Sequence, residues 1–383
     1  MRAWENQTFP LVDYVRDLET IVNMDSFSED PEGVAAVAAF FRREFEGLGW
    51  HVWETQVDEK AGPLLEICNK TPEHYDILFC GHMDTVFPPG TARERPFSIR
   101  NGYAYGPGVA DMKQGDLGML YTAKLLPKEF SDRLSIGMLL TPDEEISSRY
   151  SLKTLLEVGA KADRILVTEA CMLSGDACIE RNGKWAFAVE FFGIPAHAGF
   201  IFERENASAV EEMAHWILML ASLKNAEKGT TVNIAPVSGG AAQNVVAERA
   251  RLECEIRFRE QAETDRVREA VEKALKTPFV KGARAMLLAE DFKPAWVPSK
   301  ETVQFAEEIR RLAGELGQDF HWSRRGGLSD ANSFAQVCPR VIDGMGPRGQ
   351  FGHSPQECLD ISSIEPCVLL NLALLGKLAG EKG

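Results

Sequence analysis

Tyr75-Asp-Ile-Leu-Phe-Cys-Gly-His-Met-Asp-Thr-Val-Phe87 is the stretch on which the reading of this chain turns. Its apolar run, Ile77 to Cys80, is short and stops at Gly81-His82-Met83-Asp84, so it reads as a buried parallel strand and not as a helix. In open parallel sheets, chemistry collects where the strands end at their carboxyl edge. His82 and Asp84 lie two apart, so in extended backbone their side chains face the same way. That geometry suits a metal-binding imidazole whose ring is held by a carboxylate. A lone histidine followed by a turn aspartate is the plainer reading, and the rest of the chain decides between them.

Two more apolar runs end in acids. Leu134 to Leu140 runs into Thr141-Pro-Asp-Glu-Glu145, and Arg164 to Val167 into Thr168-Glu169. Three strands would therefore deliver His82, Glu144 or Glu145, and Glu169 to one sheet edge. Between them, a glycine-rich loop from Asn101 reaches Asp111 and a predicted amphipathic helix over Met112 to Leu126; alone, Asp111 reads as the N-cap of that helix. A second glycine-rich loop carries Gly352-His353. His82, Asp111, Glu145, Glu169 and His353 make a cysteine-free set of two imidazoles and three carboxylates. Such a set suits a pair of divalent cations bridged by one carboxylate, zinc first, with manganese or cobalt accepting the same ligands. Two ions about 3.5–4 Å apart can hold a water, lower its pKa and polarise a carbonyl. Glu144 would then act as general base. The chemistry so read is metal-assisted amide hydrolysis.

Working outward, helical stripes cover Leu11 to Met24 and Asp30 to Leu48, and strand-like stretches cover Trp50 to Val57 and Leu64 to Asn69. After Cys178 the texture changes. Strands are predicted over Lys184 to Phe192, Thr231 to Val237, Ala250 to Phe258 and Ala285 to Ala289, with helices over Ala207 to Leu223 and Glu263 to Leu275. Glu290 to Pro298 reads as a return linker, after which a helix, the turn Arg325-Gly-Gly-Leu-Ser-Asp330, a short strand near Val341 and a helix from Ile364 resume the first pattern. The expected architecture is α/β: a larger domain, 1–178 and 293–383, with a mostly parallel central sheet flanked by helices, and an inserted α+β domain, 179–292, of four strands and two helices.

With 383 residues, 45% of them hydrophobic, the chain can build two cores. Its formal charge of −15 argues against nucleic acid or an anionic membrane as the main partner. The start, Met1 to Gln7, lacks a basic-then-apolar signal, and no run reads as a membrane span. Eight scattered cysteines without a Cys-x-x-Cys pair read as free thiols in a reducing cytoplasm.

These pieces together resemble the di-zinc peptidase and deacylase family that includes glutamate carboxypeptidase, aminoacylase, succinyl-diaminopimelate desuccinylase and acetylornithine deacetylase. The resemblance rests on Gly81-His-Met-Asp-Thr-Val86, Tyr105-Gly-Pro-Gly-Val-Ala-Asp-Met-Lys113, Pro142-Asp-Glu-Glu145, Glu169 and Gly352-His353, and covers nearly the whole length. It implies two zinc ions, His82 and Glu169 on one, Glu145 and His353 on the other, Asp111 bridging, Glu144 as base and Asp84 behind His82. It also implies a cis Asp111–Met112 peptide and a lid domain that pairs two subunits. There, His197 in Gly193-Ile-Pro-Ala-His-Ala-Gly199 would reach the partner's site to stabilise the oxyanion. Asn244, Arg257 and Gly327 would grip a substrate carboxylate. Read alone, His197 is a turn residue and Arg257 part of a solvated strand face, opposite Leu252, Cys254, Ile256 and Phe258. The chain departs from the family at Ala170 and near Ala247, where proline is usual, and at Ser147, where glycine is usual; these touch loop stiffness and substrate fit rather than the ligands. Glutamate at 169 and the 105–111 and 325–330 segments are most like the glutamate carboxypeptidases. The activity implied is release of a C-terminal or N-acylated acidic amino acid; the alternatives are an N-acyl amino-acid deacylase and a catalytically silent binding dimer.

Overall fold

The computed structural model describes residues 8–71 and 73–382. Met1 to Gln7, which carries the expectation about the chain's start, lies outside the described residues. The chain divides into two compact units, one formed by residues 1–180, 298–325 and 329–383, the other by residues 181–297 and 326–328.

The first unit is built around a six-stranded sheet. Its order is His51–Gln56, Pro63–Cys68, Ile136–Thr141, Ile77–His82, Ile165–Val167, Val341–Ile342. The last four strands run parallel, and the first two are antiparallel additions at one edge. Every residue of Ile77–His82 is buried, which is why its sequence is a continuous apolar run rather than an alternating one. Register aligns the strand ends: His82 pairs with Thr141 and Cys80 with Val167. The turns after three adjacent strands therefore leave the sheet side by side, at its carboxyl edge.

The helix after Asp111 spans Lys113–Lys124 and is buried on all sides, from Lys113 to Ala123. It is thus not the amphipathic helix expected, because it is enclosed by the sheet strand Ile77–His82, the N-terminal helix Leu11–Val22 and the closing helix Ile364–Glu381. Close approach to the sheet is possible because Gly81 has no side chain; a Cβ there would fall 2.1 Å from Asp116 Oδ1. The closing helix is apolar and long enough to cross a membrane by length and composition alone, but Val368, Leu372, Leu374, Leu375 and Leu378 are packed inside the first unit. A second, five-stranded sheet in this unit sets Ala170–Cys171 beside Gly346–Gln350, followed by Cys358–Asp360, Tyr103–Tyr105 and Ser98–Arg100. The last of these, and the short helix Thr91–Glu94, lie within Pro88 to Arg100, which by its proline, glycine and mixed charge reads from sequence as a loop.

The second unit is a four-stranded antiparallel sheet with two helices, Ala209–Ser222 and Gln261–Lys276, on one face. The sheet order is Thr231–Gly239, Arg249–Phe258, Gly183–Phe192, Arg284–Lys293. Trp185, Phe187, Phe191, Trp216, Leu252 and Ile256 form its core. The strand Arg284–Lys293 runs through the first part of the stretch expected to be a return linker. Residues 326–328 belong here because Gly326 O accepts from Arg257 Nη1, and Gly327 O and Leu328 O accept from Arg181 Nη1.

Candidate metal centre

His82 ends its strand almost fully buried, at 1% exposure. Its Nδ1 lies 3.0 Å from Asp84 O and 3.3 Å from Asp84 Oδ1, which fixes the ring. Its Nε2 lies 3.2 Å from Asp111 Oδ1 and 3.5 Å from Glu169 Oε1. On the other side of Asp111, His353 Nε2 lies 3.1 Å from Oδ2 and 2.9 Å from Glu145 Oε2. The five residues thus fall into two groups that share one carboxylate. In His82, Asp111 and Glu169, and again in Asp111, Glu145 and His353, the candidate ligand atoms all lie within 4.8 Å of one another. The plain N-cap reading of Asp111 fails, since Met112 occupies the cap position and the Asp111–Met112 peptide is cis.

The electrostatics follow from packing acids and imidazoles together out of water. Burial and the charge of Asp111 push the Glu145 and Glu169 carboxyls up. Burial opposes ionisation of Asp111 too, but contacts with His353 and His82 hold it well below the usual carboxylate range. Asp111 and Glu145 hold the His353 imidazole up at about 11. Burial works against a charge on His82, and its contacts with Asp111, Asp84 and Glu169 outweigh it. Glu145 Oε1 is buried with no hydrogen-bond partner. An oxygen so placed wants a cation, and the donor set around it, imidazole plus carboxylate without thiolate, fits a pair of divalent ions.

Several parts of this centre escape the sequence reading. Asp84, fully buried, does more than orient His82: its Oδ1 accepts from Glu144 N at 3.1 Å and its Oδ2 from Glu145 N at 3.2 Å and Ser28 Oγ at 2.6 Å. One carboxylate thereby ties the His82 strand to the turn carrying both glutamates. That turn continues into Ser147 at φ 69° and Ser148 at φ 53°, so the glycine expected at 147 has a conformational reason. Glu357, 1% exposed, accepts from Gly108 N at 3.1 Å, Ala110 N at 2.8 Å and Asp111 N at 2.9 Å. Burial and the Asp111 charge raise it to about 7, against the pull of those three amides. The one sequence signal for it is an acid at the mouth of the apolar pair Cys358-Leu359. A third donor group, the exposed His74 with Asp76 and Asp163, lies near the other end of the strands. Lys382 and Ser135 N already occupy Asp76, which makes that group an ion-pair network.

Residues 78–377 match the peptidase family M20/M25/M40. The chain belongs to this family. Among curated M20 relatives, carboxypeptidase G2 of Pseudomonas sp. strain RS-16 is 27% identical over 381 residues, covering 96% of this chain and 90% of that protein. Succinyl-diaminopimelate desuccinylase of Polaromonas sp. strain JS666 is 27% identical over 330 residues, covering 80% and 75%. Among solved structures, aminopeptidase PepT from Bacillus cereus superposes with a TM-score of 0.75 at 21% identity, covering 97% of this chain and 99% of that one, a likeness of fold. The protein is therefore an M20 metallohydrolase.

The residues expected to bind substrate lie in the second unit. His197 is exposed and opens the turn Ala198–Phe200; its Nδ1 accepts from Gly199 N at 3.1 Å, so in the neutral ring the proton sits on Nε2. Asn244 O accepts from Ala198 N at 2.9 Å, which places Asn244 beside that turn. Arg257 sits elsewhere in the unit, its Nε donating to Glu255 at 2.8 Å and its Nη1 to Gly326 O at 3.1 Å, next to Gly327. Leu252, Cys254, Ile256 and Phe258 fill the opposite, buried face of its strand.

Proposed function

We propose that this M20 enzyme is a zinc-dependent exopeptidase of the glutamate carboxypeptidase type, releasing an acidic amino acid that is C-terminal or N-acylated. The observation that carries the reading is Asp111, whose two oxygens face two separate histidine–carboxylate groups. His82 and Glu169 would hold one ion and Glu145 and His353 the other, with Asp111 between them. When bound, such a pair polarises the scissile carbonyl and makes water a better nucleophile at neutral pH. Glu144, adjacent to the Glu145 ligand and aimed by Asp84, takes the proton of the attacking water and hands it to the leaving amine. Asp84 keeps His82 in the tautomer that presents Nε2 to the centre.

The substrate side of the reading rests on Arg257 and Gly327 as the grip for a carboxylate, with Asn244 apart from them beside the His197 turn, and on the full-length similarity to carboxypeptidase G2. The similarity to desuccinylases supports a second reading, deacylation of N-acyl amino acids, on the same centre. A zinc-supplemented hydrolysis panel read by mass spectrometry separates them. We expect free glutamate from N-blocked peptides and folate-like compounds ending in glutamate. Cleavage of N-acetyl compounds alone would move the enzyme to the deacylase branch, and cleavage of unblocked dipeptides alone would overturn both.

In the same reading the chain works as a homodimer paired through its second unit, with His197 donating Nε2–H to the partner's oxyanion. The eight free cysteines suit a reducing, cytoplasmic setting. Subunit mixing tests the dimer. His197→Ala and Glu144→Gln homodimers are each expected to be inactive, while an equal mixture after subunit exchange regains roughly a quarter of wild-type turnover, because half of the dimers carry one intact composite site. No recovery after proven exchange would place His197 in its own subunit's site or outside catalysis.

A further inference from the structure

A cavity of about 360 Å³ opens in the first unit among Cys171, Phe320, Met345, Arg348, Pro366 and Leu370, and no residue of the metal centre lines it. That volume is of the size small-molecule sites have. The walls are mostly apolar, and their chemistry is polarised at one place. Arg348 is the only cation of the lining. It pairs with Asp360 through Nη2 at 2.9 Å, while its Nε is buried without a hydrogen-bond partner. A second guanidinium backs the wall: Arg325 Nη2 packs so closely on Gly344 that a Cβ there would fall 2.9 Å from it. Arg325 spends Nη1 on Ala170 O and Nη2 on Asp176 O, each at 2.8 Å, and its Nε is likewise buried and unpartnered. Two neutral carbonyls leave its charge in place. The one acid of the lining, Asp319, is 87% exposed and pairs with His321, so it does not neutralise the interior. Two guanidiniums, Arg348 and Arg325, thus stand at this wall against the single paired carboxylate of Asp360, and an apolar cavity with such a wall selects an amphipathic anion.

We propose that this cavity is a second ligand site, which takes a small carboxylic acid with a short apolar tail, the tail among Phe320, Met345 and Leu370 and the carboxylate on Arg348. The site is placed to be felt at the metal centre. Cys171, in its wall, belongs to the strand Ala170–Cys171 that follows Glu169 directly, and Gly346 to Arg348 belong to the strand Gly346–Gln350 that leads into Gly352-His353. The two strands pair in parallel, and Gly346 N donates to Glu169 O at 2.9 Å. A ligand in the cavity touches Cys171 on one strand and Gly346 to Arg348 on the other, and so bears on a residue of each donor group.

Hexanoate is the probe, titrated into zinc-loaded protein carrying ¹³C-methyl methionine, with hexylamine as the charge-reversed control. Met345 lines the cavity and Met112 adjoins Asp111, so the two methyl signals separate this site from the metal centre. The expected result is a saturable shift of the Met345 methyl with a Kd on the order of 1 mM, the affinity a ligand of this size can reach. Hexylamine should leave that signal in place, and Arg348→Gln should weaken the hexanoate response at least tenfold. A static Met345 signal, an equal response to hexylamine, or movement at Met112 alone would overturn the proposal. Should Arg348→Gln fail to fold, the contrast between hexanoate and hexylamine on the wild-type chain decides by itself.

Discussion

Glu144→Gln yields a protein that folds, takes up its metal and turns over about 10³-fold more slowly, a rise of roughly 4 kcal/mol in the barrier. The amide matches the carboxylate in size and keeps the backbone N–H that Asp84 Oδ1 accepts, so the turn stays where it is. What it loses is the capacity to accept a proton. Glu144 is in neither donor group, so metal content should match wild type. The measurement is kcat beside metal per chain by elemental analysis. Wild-type kcat would remove Glu144 from the mechanism, and loss of metal would make it a ligand instead of a base.

Glu357→Gln is expected to weaken metal binding 10- to 100-fold, the usual cost of losing a group that positions a ligand. Glu357 offers two acceptor oxygens to three backbone N–H groups, Oε1 to Ala110 and Asp111 and Oε2 to Gly108. An amide has one acceptor oxygen and an NH2 that only donates, so one end must face N–H with N–H, at about 1–3 kcal/mol for the unpaired buried group. The loop that aims Asp111 carries that cost, and both donor groups share Asp111. Free-zinc titration in chelator buffers reads the affinity, and excess zinc should restore much of the activity. That rescue distinguishes a residue that positions a ligand from one that reacts. Unchanged affinity would show that the loop holds its shape without Glu357.

The members of the two candidate donor groups were legible because each ends or follows a short, distinctive string. The apolar runs before His82, Thr141 and Glu169 announce buried strands, and parallel strands stop at a common edge, so a one-dimensional pattern carried three-dimensional information. Asp84 was legible as a partner of His82, two residues away, but not as the anchor of Glu144 and Glu145, a contact made across 60 residues of chain. Ser28 and Glu357 were hidden for the same reason: their hydrogen bonds are tertiary, and nothing beside them in the chain is unusual. The helix Lys113–Lys124 misled because its polar residues, Lys113, Gln114 and Asp116, are buried with the rest, at no more than 1% exposure. Lys113 shows how that is tolerated, donating its Nζ to Met24 O at 2.7 Å. Residues 326–328 were assigned by continuity, which cannot anticipate a short loop that bonds to Arg181 and Arg257.

The shared carboxylate of Asp111 also sets an order of birth. His82, Asp111, Glu145 and Glu169 all precede the 181–297 insertion, whereas His353 follows it and emerges about 270 residues after His82. At ribosomal speeds of about 10 residues per second, the nascent chain owns the complete His82–Asp111–Glu169 trio for nearly twenty seconds before its last histidine exists. Possession of the three residues is not yet a finished pocket, because Glu357, which holds the loop that aims Asp111, and Gly346, which donates to Glu169 O, arrive with the same C-terminal segment as His353. The shared carboxylate and both of its donor groups are therefore completed together, when that segment folds back onto the rest of the first unit.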